Sequence, residues 1–131
     1  MKHFEALTID ERSLYFEQAS GRLDLPPAAI EKDFWVTWVL GRLFSSPLLA
    51  SKILFKGGTS LSKVFGLIER FSEDIDLVLD WNEVVPEDPN LVRSKTKQDQ
   101  FNKAVPERSR EYIERVFLPE VLRLMAGICS A

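Results

Sequence analysis

The sequence predicts an α+β domain in which a small mixed sheet is flanked by helices. Helix-capping patterns and apolar residues at helical spacing recur along most of the chain. Two short apolar runs, Ile53–Phe55 and Ile75–Leu79, interrupt them and have the length of strands. The chain has 131 residues, of which 45% are hydrophobic and 28% charged, as is typical of one compact soluble domain. We therefore expect residues 1–131 to form a single domain.

Two helices are predicted in the first third of the chain. Thr8–Glu11 has the spacing of a capping box and predicts a helix that ends near Gly21. Pro26–Pro27 then opens a second helix, which ends at Ser45–Pro47. From Phe34 onward the second helix is apolar on nearly every side, so we expect it to be buried in the core.

The remaining elements follow from the two apolar runs and the residues around them. Ile53–Phe55 is predicted to be a buried strand, Thr59–Leu67 a helix, and Ile75–Leu79 a second strand. Residues 94–126 are predicted to be helical, with a kink or a division at Pro119. Two strands do not form a stable sheet on their own, so the sheet is predicted to be incomplete in this chain.

Composition excludes several classes of protein. No apolar run approaches the roughly 20 residues of a membrane helix, and the first residues lack the pattern of a secretory signal. Cys129 is the only cysteine, which excludes an internal disulfide. The net charge of −3 argues against a dedicated DNA-binding module. These features predict a cytoplasmic protein that is not bound to a membrane.

A phosphate-binding segment is predicted where the first strand ends. Gly57 and Gly58 allow a tight turn and a close approach of the backbone to a ligand. The following helix would direct its free amides and its positive dipole end at that turn, which suits phosphate. Thr59 and Ser60 add hydroxyl groups, and Lys63 adds a cation one turn later. The alternative is a simple turn, which is what an isolated glycine pair usually forms.

An aspartate pair begins the second strand. Asp74 and Asp76 are two residues apart, so both side chains are expected on one face, about 6–7 Å apart along the strand. Carboxylates and phosphate oxygens are the ligands that Mg²⁺ prefers, so the pair suits an in-line displacement at the α-phosphate of a nucleotide. The alternative is a solvated strand end. Against it, we expect Leu77 and Leu79 to be buried, and two like charges near a core are costly without a cation.

These motifs resemble a known family. The glycine pair, a helix and the aspartate pair resemble the polymerase-beta-like nucleotidyltransferase superfamily. More closely, Lys56–Leu61 and Arg70–Leu77 resemble the abortive-infection toxin nucleotidyltransferases of the AbiEii/AbiGii type. Glu31–Val36 is similar to the amino-terminal signature of that family. The resemblance runs over residues 30–79 and implies that the chain is the amino-terminal portion of such a protein.

The resemblance implies a set of site residues. Asp74 and Asp76 would be catalytic and would bind Mg²⁺ or Mn²⁺. The residues assigned to nucleotide or phosphate binding are Gly57, Gly58, Thr59, Ser60, Lys63, Arg70 and Ser72. For the lysine and the arginine in this set a solvated surface charge is an equal alternative, and for Ser72 the alternative is capping of a turn.

The resemblance also implies a function. Such proteins are toxins of bacterial toxin–antitoxin pairs, and some members transfer nucleotides from NTPs to tRNA ends, so NTP, tRNA and a cognate antitoxin are the expected partners. The superfamily commonly uses a third carboxylate on a later strand, yet every acid after Leu79 lies in a loop or helix pattern. A second hypothesis is therefore a non-catalytic or truncated domain of the same fold that binds nucleotide or a partner protein. A third keeps the reaction but uses a small molecule or a protein side chain as the acceptor.

Overall fold

A computed structural model of the chain describes residues 3–56 and 74–129, which form helices around a short sheet. The elements, after a 3₁₀ turn at Phe4–Ala6, are α1 (Ile9–Leu23), α2 (Pro27–Ser45), β1 (Ile53–Lys56), β2 (Asp76–Leu79), α3 (Trp81–Val84), α4 (Lys95–Tyr112), a π-helical segment (Ile113–Phe117) and α5 (Leu118–Cys129). The α+β class is confirmed, and the two strands of the described part are antiparallel.

Helix α1 begins at the predicted capping box. The Thr8 hydroxyl accepts a hydrogen bond from the Glu11 amide at 3.2 Å, and the Glu11 carboxylate accepts one from the Thr8 amide at 2.8 Å. The helix continues through Gly21 and ends at Leu23, because Asp24 adopts a left-handed conformation with φ of 54°. Asp is one of the few residues with a side chain that tolerate this conformation.

Helix α2 has the predicted ends, but the prediction that it is buried in the core was wrong for most of its residues. It starts with Pro27 in its first turn and ends at Ser45. Only Val36 and Leu43 are buried, and Phe44 is 38% exposed. The reason is that α2 divides its apolar surface between two separate clusters, one aromatic and one aliphatic, rather than lying inside one core.

The aromatic cluster joins the amino-terminal turn to α2. The ring centroid of Phe4 lies 4.2 Å from that of Phe34. Beside it, Glu5 accepts a hydrogen bond from the indole nitrogen of Trp38 at 2.8 Å and forms an ion pair with Arg42. These hydrogen bonds, from Trp38 and then Arg42, hold the pKa of the Glu5 carboxyl below its ordinary value.

The aliphatic cluster, called the central cluster below, is the place where α2, the sheet and α5 meet. Its buried members are Leu43, Leu49 and Ile53, which are 3%, 0% and 7% exposed. The half-buried side chains packed against it are Val39, Leu77, Leu79, Phe117, Val121 and Leu124. Burial of these groups is the main apolar contribution that holds the strands against the helices.

The two strands pair in a fixed register that gives the sheet an inner and an outer face. Ile53 lies opposite Leu79, and Lys56 lies opposite Asp76. Because side chains alternate along a strand, the inner face carries Ile53, Phe55, Leu77 and Leu79, and the outer face carries Leu54, Lys56, Asp76 and Val78. Leu54 is 65% exposed. The prediction of a buried first strand was therefore wrong for its outer face, which no described residue covers.

The carboxyl-terminal helix is divided just before Pro119, as predicted. In the π-helical segment the Leu118 amide donates to the carbonyl of Ile113, five residues earlier. A proline lacks an amide hydrogen and its ring crowds the carbonyl four residues before it, and π-helical insertions relieve such crowding locally. Helical structure covers residues 95–129, close to the predicted 94–126.

A buried hydroxyl fastens α5 to the end of α2. Ser46, which is 1% exposed, donates a hydrogen bond to Glu120 at 2.8 Å. The Arg123 guanidinium donates to the same carboxylate at 2.9 Å. The hydrogen bonds from Arg123 and Ser46 lower the pKa of Glu120 to about 2 from its ordinary 4.5.

The central cluster predicts different costs for two neighbouring leucines. Leu49→Ala leaves a cavity at a fully buried position and should lower the free energy of unfolding by about 2–5 kcal/mol. Leu48→Ala, at a position that is 46% exposed, should change it by no more than about 0.5 kcal/mol. Urea unfolding followed by circular dichroism measures both, and equal losses would show that Leu49 is not at the centre of the core.

The contacts of Glu120 predict a pH-dependent stability. The pKa of this carboxyl is lower in the folded chain, so its contribution is complete above about pH 4.5 and is lost as the pH falls towards 2. The melting temperature of Glu120→Gln should lie below that of the wild type near neutral pH. The difference should shrink as the pH falls towards 2, because the wild-type carboxylate becomes progressively protonated and neutral, like the Gln side chain. A difference that stays constant over this range would contradict the assignment.

Candidate functional site

The predicted aspartate pair lies at one end of the outer face of the sheet. Asp76 is the first residue of β2, and Asp74 comes two residues earlier. From Asp74 to Leu79 the residues alternate between exposed and half-buried, which is the pattern of extended backbone with one face towards solvent. Both carboxylates therefore belong to the exposed set, about 6–7 Å apart along the strand.

The leucines next to the aspartates are less buried than the sequence predicts. Leu77 and Leu79 are half-buried rather than buried, although both pack against the central cluster. The aspartates lie on the opposite face, exposed to water, so proximity to the core does not create a demand for a cation. What supports a metal site is instead the chemistry and accessibility of the carboxylate oxygens.

The carboxylate pair fits Mg²⁺ or Mn²⁺ when a nucleotide supplies further ligands. In the described ranges, 3–56 and 74–129, no group of three or more His, Cys, Asp or Glu side chains could hold a metal ion. Mg²⁺ is usually held by one or two carboxylates together with substrate phosphates and waters, rather than by a cage of protein groups. An exposed pair suits a cation that arrives with a triphosphate.

Lys56 is a further candidate that sequence reasoning did not assign to the site. The strand register places it directly opposite Asp76 on the outer face, and it is exposed. Side chains directly opposite each other in an antiparallel pair have Cβ atoms about 4.5–5.5 Å apart. The sequence identified Lys56 only as part of a motif, because the register between the two strands is not encoded in local spacing.

The predicted phosphate-binding residues lie outside the described part of the chain. These are Gly57, Gly58, Thr59, Ser60, Lys63, Arg70 and Ser72, and their roles stay predictions. The described residues show where segment 57–73, which contains them, is attached to the sheet. It leaves β1 at Lys56 and returns at Asp74, at the end of the sheet that carries the aspartate pair.

The opposite end of the sheet is occupied by structural contacts. Lys52 forms an ion pair with Glu83, which raises the pKa of this lysine. Asp80 caps α3 by accepting a hydrogen bond from the Asn82 amide at 3.0 Å. Every acid from residue 80 to residue 129 lies in a helix or a loop, as the sequence predicted. The described residues thus supply two carboxylates to the site, not three.

Comparison with known families gives the chain its class. An α+β fold with an exposed Asp-x-Asp pair at a strand start is the arrangement expected of a nucleotidyltransferase. The family described as Nucleotidyl transferase AbiEii toxin, Type IV TA system, matches residues 38–128. This range covers more than half of the chain, and the chain belongs to that family. No curated protein and no solved structure matches it.

The matched range differs in extent from the resemblance found in the sequence. It contains both strands and the aspartate pair, and it continues through α4 and α5, which the motifs did not reach. It begins after Glu31–Val36, so that segment lies outside the match. In the structure this segment is part of the packing surface, since Phe34 contacts Phe4 and Val36 is buried.

None of the helices within residues 3–56 and 74–129 is long and apolar enough to cross a membrane.

Proposed function

We propose that this chain transfers a nucleotide from an NTP to tRNA as the toxin of a toxin–antitoxin pair, with Asp74 and Asp76 holding Mg²⁺ or Mn²⁺. The observation that carries the proposal is the family match, because the matched residues include the aspartate pair. The exposed face of the sheet holds these two carboxylates, with Lys56 directly opposite Asp76. A cognate antitoxin and a cytoplasmic location, where NTPs and tRNA occur, are parts of the same proposal.

Binding of the NTP uses charges of both signs at one end of the sheet. The triphosphate carries negative charge and would be repelled by Asp74 and Asp76 alone. Asp74 and Asp76 would hold a divalent cation, which when bound would offset that repulsion and make the acceptor hydroxyl a better nucleophile. Lys56, opposite Asp76, adds a fixed positive charge beside the same phosphates. The segment after Lys56 supplies the predicted glycine and hydroxyl contacts.

The transfer itself is a displacement at phosphorus. The acceptor hydroxyl oxygen forms a bond to the α-phosphorus, the bond from that phosphorus to the bridging oxygen of the β-phosphate breaks, and pyrophosphate leaves. The hydroxyl proton passes to solvent, which both exposed aspartates contact. In this reaction the protein contributes position and charge rather than a covalent intermediate.

A second function, nucleotide binding without transfer, is favoured by one observation. The described residues bring two carboxylates together and no third acid beside them. Such a domain would bind NTP in the presence of Mg²⁺ through the same residues and would release it unchanged. A different acceptor, such as a small molecule or a protein side chain, would leave NTP consumption intact but would label no RNA.

The proposal predicts that either aspartate is needed for transfer. Asp74→Asn and Asp76→Asn keep the size of the side chain but remove the charge that holds the cation. Loss of a group that only supports a metal ligand costs 10–100-fold, so loss of a direct ligand should lower transfer by at least about 100-fold. The assay measures label from each α-labelled NTP in total RNA, in the presence of Mg²⁺.

Asp99→Asn is the matched control, because Asp99 is exposed on α4 and the substitution makes the same change of charge. It should leave transfer unchanged, and all three variants should show the melting temperature of the wild type to within a few degrees. Full transfer by both site variants would refute the assignment. Mg²⁺-dependent NTP binding by the wild type, with no labelled product, would favour the binding function.

A further inference from the structure

A basic groove lies along α4, and neither Asp74 nor Asp76 is among the residues that line it. It is formed between the loop after α3 and one side of α4, from Lys97 to Arg108, and its volume is about 380 Å³. We call it the α4 groove and define it by Arg93, Lys97, Phe101 and Arg108. Three of these four residues are cations, and among the described residues Glu87 is the only acid that lines the groove. The groove is therefore locally positive in a chain whose net charge is −3.

One cation of the α4 groove is fixed, and the other two are available. The Arg93 guanidinium lies 4.1 Å from the ring centroid of Phe101 and donates a hydrogen bond to the Leu91 carbonyl at 3.0 Å. Lys97 is exposed. Arg108 is 42% exposed and its contact with Glu87 is 3.4 Å long, an exposed pair of the kind that contributes little to stability. A phosphate could replace that pairing at small cost.

Beyond the α4 groove, along the same helix, the lining holds two cations and two acids. A second depression of about 380 Å³ shares Arg108 and is lined by Tyr112 and Arg115. Two acids also line it, Glu83 and Glu111. The first of these is already paired with Lys52.

Cations and aromatic rings therefore alternate along one side of the helix, at Lys97, Phe101, Arg108, Tyr112 and Arg115. Their spacings of three, four and seven residues keep them on one face. At a rise of 1.5 Å per residue, the first and last of them are about 27 Å apart. This distance is longer than one nucleotide and suits a polynucleotide, which has a phosphate at every repeat.

We propose that the α4 groove binds the sugar–phosphate backbone of a single-stranded end of the acceptor RNA. Lys97 and Arg108 contact its phosphates, and the interleaved rings of Phe101 and Tyr112 provide apolar surface for its bases. Positive charge along a groove, combined with aromatic side chains, is how proteins hold single strands without reading their sequence. The inference rests on the proposed function, because that function makes RNA the acceptor.

The test uses two double variants of the full chain that change the net charge equally. Lys97→Gln/Arg108→Gln removes two cations from the α4 groove. Lys95→Gln/Lys103→Gln removes two exposed cations that lie about 160° and about 240° around the same helix from Lys97. Binding of fluorescent tRNA is measured by anisotropy over a series of salt concentrations, without NTP or Mg²⁺.

Each phosphate contact on a single strand contributes about 0.7 to the slope of log K against log salt concentration. The groove variant should therefore lose about 1.4 from the magnitude of that slope, and its affinity should be lower at low salt. The control variant should keep the wild-type slope. Equal weakening in both variants, unchanged binding by the groove variant, or no tRNA binding by the wild type would overturn the proposal.

Two further arms separate this inference from the proposed function. Binding of ATP in the presence of Mg²⁺ should be the same for the wild type and the groove variant. If the variant loses ATP binding instead of tRNA binding, the α4 groove is a nucleotide site and the inference is overturned. If tRNA binding depends on Lys97 and Arg108 while the wild type transfers no nucleotide, the inference stands and the proposed function fails.

Discussion

The burial of Leu49 beneath α2 and β1 is the contact on which the rest of the structure depends. Leu49 is fully buried, and its carbonyl accepts hydrogen bonds from the amides of Lys52 at 2.8 Å and Ile53 at 3.1 Å. One residue thus belongs to the central cluster and also fixes the turn from which β1 starts. Because α5 packs on the same cluster and its Glu120 binds Ser46, both halves of the chain converge at this turn.

The packing at this turn also determines the position of the candidate site, because successive side chains of a strand point to opposite faces of the sheet. Leu77 and Leu79 pack against the central cluster, so the residues between and before them, Val78 and Asp76, face outward. A shift of one residue in the pairing would move the aspartates to the inner face and the leucines to solvent. The apolar anchoring of β2 therefore determines that Asp76 is exposed and that Lys56 lies opposite it.

Much of the fold could be predicted because its signals are local. The capping box at Thr8, the start of α2 at Pro27 and the division before Pro119 depend on residues within one or two helical turns. The aspartate pair was found for the same reason, since spacing of two along a strand defines a shared face. The end of α1 lies two residues beyond the predicted Gly21, because Asp24 takes the left-handed conformation that ends the helix.

What the sequence did not reveal depends on contacts between distant segments. The partial exposure of α2 results from its division between two clusters, and the position of Lys56 results from its pairing with a residue on the far side of segment 57–73. The α4 groove likewise requires the loop that carries Arg93 to fold back on Phe101. None of these pairings has a local spacing that could be recognised in one sequence.

The most direct test of the account is the location of a bound metal–nucleotide complex. We would record amide spectra of the isotope-labelled chain while adding Mn²⁺, which broadens nearby signals, with each NTP in turn. We expect selective broadening at Lys56, Asp74 and Asp76, and much less at Lys52 and Asp80 at the opposite end of the sheet. Broadening centred on the α4 groove, or on the Lys52 end, would contradict the assignment of the aspartate pair as the nucleotide site.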